Sequence, residues 1–213
     1  MKASAILTRA SRKLIDETGI TWPETELLDD LNAAQRDVVS LKPEAGTTSE
    51  MVQTVGGARQ KLPDKAQYLV DVLANKDGHA ITRVDRGMMD RFSPGWQGES
   101  ADNRAQHYLF DDRDPSTFYL YPPRPIESPE EVEAVFVATP EPVADAEDPI
   151  SLSDGYAEAL FYGVMARALA KDTGAADYQK SLQYQQLMQG VLMGKIESKM
   201  MMHPLQLEER ARK

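Results

Sequence analysis

Cysteine is absent from the 213-residue chain. Disulfides, thiolate zinc sites and thiol nucleophiles are excluded together, and the absence fits synthesis in a reducing cytoplasm. Long apolar runs are missing too, since none approaches the roughly 18 residues that a membrane helix requires; no membrane partner is expected. The first residues run straight into Arg9, Arg12 and Lys13 and do not read as the hydrophobic region of a secretion signal. Histidine is scarce. His79, His107 and His203 lie far apart, and none has a metal-ligand companion four residues on or a His-Glu-x-x-His context, so each is read as structural or exposed.

Signatures of catalysis are lacking in the same way. Gly56-Gly57 and the stretch from Gly155 to Gly163 match neither a dinucleotide fingerprint nor a phosphate loop, and no Gly-x-Ser-x-Gly elbow occurs. Asp111-Asp112-Arg113-Asp114 is acidic enough for calcium but lacks the glycine and distal glutamate of an EF-hand loop, so it reads as a turn. Neither an enzyme nor a cofactor is expected. Positive charge is also in deficit: 24 Lys and Arg stand against 34 Asp and Glu, giving a net charge of −10. General nucleic-acid binding depends on Lys and Arg neutralising phosphates, so that class is disfavoured. Residues 125–166 hold no Lys or Arg while Glu127, Glu130, Glu131, Glu133, Glu141, Asp145, Glu147, Asp148, Asp154 and Glu158 all fall there. This is either a solvated acidic face or a surface that DNA passes without sticking.

What is present is helical periodicity at both ends. Ile6, Leu7, Ala10 and Leu14 predict a helix over residues 3–18, closed by Gly19 as a left-handed cap. Thr21-Trp22-Pro23-Glu24 has the form of a capping box, and Leu27, Leu28, Leu31, Ala34, Val38 and Leu41 extend a second helix to about residue 41. After Pro149, Ser153 reads as an N-cap for a third helix carrying Tyr156, Leu160, Phe161, Val164, Met165, Ala168 and Leu169 and stopping near Gly174. A fourth helix is expected over 175–202, with Tyr178, Leu182, Leu187, Met188, Val191, Leu192 and Ile196 as its apolar positions.

Between these ends, short β-branched or aromatic runs alternate with Gly, Pro and Asp. Strands are expected at 51–55, 68–73, 80–84, 106–110, 118–121 and 132–138, with Asn75-Lys76-Asp77-Gly78 as a hairpin turn and a short helical turn at 88–92. The aromatics Tyr68, Tyr108, Phe118, Tyr119 and Tyr121 lack interleaved basic residues and read as sheet packing rather than a base-stacking platform. The expected fold is α+β: an antiparallel bundle of about four helices with a β-rich insert between the second and third helices and a protruding C-terminal helix and tail. Its parts are a helical hairpin at 1–45, the insert at 46–149, a second hairpin at 150–202 and a tail at 203–213.

The fourth helix would be about 42 Å long against roughly 24–30 Å for the others at 1.5 Å per residue. Its end carries Met200, Met201 and Met202, followed after Pro204 by Leu205, Leu207, Arg210, Arg212 and Lys213. Apolar residues that outrun the bundle have nothing in the chain left to cover them, so this segment is the candidate partner-binding element.

The order of two helices, β insert and two helices resembles the head-to-tail adaptor family of tailed phages. The likeness is carried by Asp114-Pro115-Ser116-Thr117-Phe118-Tyr119-Leu120-Tyr121-Pro122-Pro123-Arg124-Pro125 and by Asp148-Pro149-Ile150-Ser151-Leu152-Ser153-Asp154-Gly155-Tyr156-Ala157-Glu158-Ala159-Leu160 with Ala166-Arg167-Ala168-Leu169-Ala170-Lys171-Asp172. Ile20-Thr21-Trp22-Pro23 followed by Asp29-Asp30-Leu31-Asn32-Ala33-Ala34-Gln35-Arg36 is similar as well. The resemblance implies a structural virion protein at the head–tail junction, assembled in the bacterial host cytoplasm. It implies a homo-oligomeric ring, commonly of twelve copies, between portal and a tail or nozzle protein, through which genomic DNA passes without specific binding. A non-catalytic helical interaction module or chaperone outside the virion neck, and a virion cell-wall hydrolase needing paired carboxylates in a cleft, are the competing classes.

Overall fold

The computed structural model describes residues 1–110, 113–172 and 177–202, with side chains of the last helix described to residue 194. In chain order the elements are α1 (Ala3–Leu14), α2 (Glu24–Leu41), β1 (Thr47–Val52), β2 (Gly57–Lys61), β3 (Ala66–Asn75), β4 (Thr82–Arg83), α3 (Arg86–Phe92), β5 (His107–Phe110), β6 (Thr117–Arg124), β7 (Val132–Ala138), α4 (Ala157–Ala170) and α5 (Tyr178–Met202). The fold is α+β, with five α-helices and two sheets among the described residues. Two compact units divide it, one of Met1–Ala45 with Pro140–Lys213 and one of Gly46–Thr139.

In the helical unit α4 packs against α1, α2 and α5. Its apolar positions run round most of its circumference, because Leu160, Val164, Met165, Ala168 and Leu169 are all buried. Gly163 makes that closeness possible: a Cβ there would come within 2.7 Å of the Ala34 Cβ on α2 and 3.3 Å of the Met188 sulfur on α5. The chain before α1 is tied back by Ala3 N–H to the Asp148 carbonyl (3.1 Å) and by Ile150 N–H to the Met1 carbonyl (2.9 Å).

Several local expectations are corrected in this unit. The first helix ends at Leu14, not at residue 18, with Ile15 left-handed (φ 57°) and its N–H bonded to the Arg12 carbonyl. Asp16 then reverses the chain, so Gly19, also at positive φ (66°), belongs to the following turn rather than to the helix cap. The capping box does not form: Pro23 is the N-cap of α2 and no side chain caps it. Ser153 does accept a hydrogen bond, from Gly155 N–H, but it opens a 3-10 turn at Asp154–Tyr156 that leads into α4. The third expected helix ends at Ala170 rather than near Gly174, and the last helix is described from Tyr178 rather than 175, Gly174 and Ala175 lying outside the described residues.

The β unit has one antiparallel sheet in the order β1-β7-β3 and a second in the order β2-β6-β5-β4. Val72, Phe118, Leu120, Val132, Ala134 and Phe136 are fully buried within one apolar cluster. Trp96, Leu109 and Ala58 form a smaller one, in which the Trp96 indole donates to Asp90 (2.9 Å). The insert is not antiparallel throughout, because β4 pairs parallel with β5. The hairpin turn itself forms, with Gly78 at φ 84° and Asn75 N–H on the His79 carbonyl. Beyond a single bridge between Ala74 and Ala80, however, the chain leaves β3 and joins the other sheet. The first strand is Thr47–Val52 rather than 51–55.

Candidate interaction surfaces

Of the described polar groups singled out in the sequence, His79 and Asp114 lie in turns and His107 opens β5. His79 Nδ1 lies 3.0 Å from Asp77, and His107 stacks on Tyr121 with its Nδ1 2.7 Å from the Thr82 hydroxyl. His203 lies outside the described residues, as do Asp111 and Asp112. Asp114 is held below the usual carboxyl range chiefly by a hydrogen bond from Thr117, with further ones from the Ser116 hydroxyl and Arg59, against the effect of burial. Among the described residues no group of three or more His, Asp or Glu is arranged to hold a metal ion. None of the described helices is long and apolar enough to cross a membrane.

The acidic stretch 125–166 is largely engaged within the chain. Glu147 pairs with Lys2 (2.7 Å), Glu158 with Arg9, Asp154 with the Met1 ammonium (2.6 Å) and Glu131 with Lys76 (3.1 Å). Asp148 accepts the N–H groups of Ala144 and Asp145. Only part of the acidity read from the sequence is therefore a bare face.

A second charged surface joins α2 to α4. Lys171 bridges Glu26 (2.6 Å) and the Thr21 carbonyl (2.7 Å), and Arg167 pairs with Asp37. Asp30 lies between these pairs on α2. Burial pushes its carboxyl up to about 6, with Arg167 opposing the rise and Glu26 and Asp29 adding to it.

In the β unit Arg124 is 1% exposed. Its guanidinium donates to the Asn103 carbonyl and to Asn75 Oδ1. Asn75 in turn exchanges two 2.8 Å bonds with the backbone of Ala105, so one buried polar network ties β3 of the first sheet to β6 of the second. Burial lowers the guanidinium's affinity for its proton.

The turn between α1 and α2 is built around one carboxylate. Asp16 accepts the N–H groups of Ile20 (3.0 Å), Thr21 (2.8 Å) and Trp22 (2.8 Å), chiefly the last of which holds its pKa below the usual range. Trp22 is buried and donates its indole N–H to the Ala168 carbonyl (2.8 Å). The turn is thus held at both ends, yet it presents Ile15 at 92% and Ile20 at 84% exposure. A β-branched residue in the left-handed region is strained, and strain is kept only where surrounding bonds enforce it.

Along α5 the apolar positions named in the sequence divide between buried and exposed. Met188 and Leu192 are buried, but Tyr178, Leu182 and Leu187 are exposed, together with Met193. Apolar residues therefore lie on both the inward and the outward side of the helix. Of the expected partner-binding residues, Met200, Met201 and Met202 end α5 with their side chains outside the described residues, while Leu205, Leu207, Arg210, Arg212 and Lys213 lie wholly outside them.

The family model described as SU10 adaptor protein matches residues 1–207 of the chain. No curated protein matches it.

Proposed function

Because the chain belongs to the SU10 adaptor protein family, a family of phage head-to-tail adaptors, we propose that it is a structural subunit of the virion neck that joins the portal to the tail as a homo-oligomeric ring of twelve copies. The helices of its first and last segments form a four-helix bundle that serves as the ring wall, and the β-rich insert at 46–149 reaches a tail or nozzle protein. Genomic DNA passes through the channel without specific binding. The ring is assembled in the host cytoplasm and performs no turnover. The segment holding Met200, Met201, Met202, Leu205, Leu207, Arg210, Arg212 and Lys213 docks on the portal, with methionines and leucines entering a groove and the basic residues meeting acidic ones.

The observation that carries this reading is the reach of the family match, which runs through both compact units. An acidic chain suits the role, since a surface that must release DNA gains nothing from Lys and Arg. Phage lacking this chain should fill heads that never acquire tails, and a cryo-EM reconstruction of intact necks should contain its ring between portal and tail. Tailed, infectious particles made without the chain would sink the reading.

A further inference from the structure

In a closed ring each copy offers two different surfaces to its neighbours, because a surface that meets only itself stops at a dimer. Among the described residues the helical unit leaves two unlike apolar surfaces exposed. One is α5, whose substantial packing is against α4 and which exposes Leu182, Leu187 and Met193. Residues 181–194 contain no Asp, Glu, Lys or Arg, although such residues make up 27% of the chain. The exposed side of this stretch is filled out by glutamines, which offer hydrogen bonds without charge, and loss of charge is the compositional mark of an interface centre. Gly190 and Gly194 add a hollow, since among the described residues nothing stands within 4 Å of where a Cβ on either would be.

The other bare surface is the tip of the α1–α2 turn, where Ile15 and Ile20 project from a loop that Asp16 holds in shape. Its order is already fixed in the free chain, so little conformational freedom remains to be lost on binding. Charge singles out the partner. With a net charge of −10 on every copy, neighbours repel wherever acidic faces meet, and the uncharged face of α5 is where an apolar tip of another copy approaches without that repulsion.

We propose that the Ile15/Ile20 tip of one copy seats in the uncharged, glycine-floored face of α5 on the next copy. This rests on the ring proposed above and names the surfaces that build it. The absence of native cysteine allows a direct test with full-length chains carrying Ile20→Cys and Gln186→Cys together, packaged into virions and treated with a short bismaleimide, which tolerates more separation than a disulfide. A ladder of covalent multimers is expected from the double variant and none from either single variant. Dimers from Gln186→Cys alone would mean that like faces meet and would overturn the proposal. Rings visible in necks of the unsubstituted phage, with no ladder from the double variant, would overturn it while leaving the ring intact. Necks without any ring of this chain would overturn the ring itself. As a second readout, Leu187→Lys alters a side chain exposed in the lone chain, so it should leave the melting temperature unchanged and weaken ring assembly about tenfold or more; unimpaired assembly would overturn the proposal.

Discussion

Asp30 carries the clearest pH signature of any single residue. Its neighbours on α2, Glu26 and Asp37, each have a cation, Lys171 just past the end of α4 and Arg167 on it, whereas Asp30 has none at ion-pair distance among the described residues. Its carboxyl titrates near 6 in the fold against 3.8 in the unfolded chain, so the folded state binds the extra proton between those values. Stability from this group is therefore full below about pH 4, falls as pH rises towards 6, and stays at its lowest above. Asp30→Asn should stabilise the chain by about 1–2 kcal/mol at pH 7, a figure reduced from the full shift to allow for solvent screening. Thermal melts should find that gain gone near pH 4; an equal gain at both pH values would exclude the titration as its source. Gly163 tests packing at the same scale. Alanine there would gain about 1 kcal/mol of helix propensity, but its Cβ would sit 2.7 Å from Ala34, and overpacking costs typically 1–3 kcal/mol. Because the contact is with a side chain on a packed helix, the clash should win, and Gly163→Ala should lower the denaturant midpoint.

At the scale of elements, the docking proposed for the end of the last helix can be tested apart from the fold. With 25 residues it is the longest element and spans about 37 Å, against about 27 Å for the 18 residues of α2. A chain ended after Lys199 should melt at the same temperature as the full chain yet fail to join portal-containing heads in a pull-down. Normal joining would remove residues 200–213 from the docking surface. The helices were legible in the sequence because burial imposes a period on them: Leu27, Leu28, Leu31, Ala34 and Val38 are all buried, as their spacing requires. The strand β2 was not legible, since Gly57-Ala58-Arg59-Gln60-Lys61 has no β-branched residue and fills an inward position with Gln60. That side chain is satisfied only by the fold, through the backbone of Val55 and Gly57. The parallel pairing of β4 was hidden for a related reason, because turn residues specify a local reversal but not which distant strand receives the chain. Thr21 and Glu24 spelled a capping box, yet Asp16, a few residues upstream, took the nearby N–H groups. Which apolar positions of α5 are buried was not legible, because exposed Leu182 and Leu187 look the same in sequence as buried Met188 and Leu192.

For the whole molecule the governing quantity is charge. The net value of −10 survives although Lys2, Arg9 and the Met1 ammonium are spent on Glu147, Glu158 and Asp154, so the excess must appear on surfaces that these pairs do not cover. DNA carries one negative charge per about 1.7 Å of helix axis, and a basic channel would condense against it and resist movement. An acidic channel repels it instead, but only within the screening length of about 8–10 Å at ordinary salt. Two consequences follow for an assembled ring. Its bore should map as acidic, whichever segments line it, and lysines substituted for bore-facing Asp or Glu should slow genome ejection. That slowing should be strongest at low salt and fade as added salt screens the new attraction. A basic bore, or an ejection rate indifferent to both the substitutions and the salt, would mean that DNA moves through this neck without help from the charge of the chain.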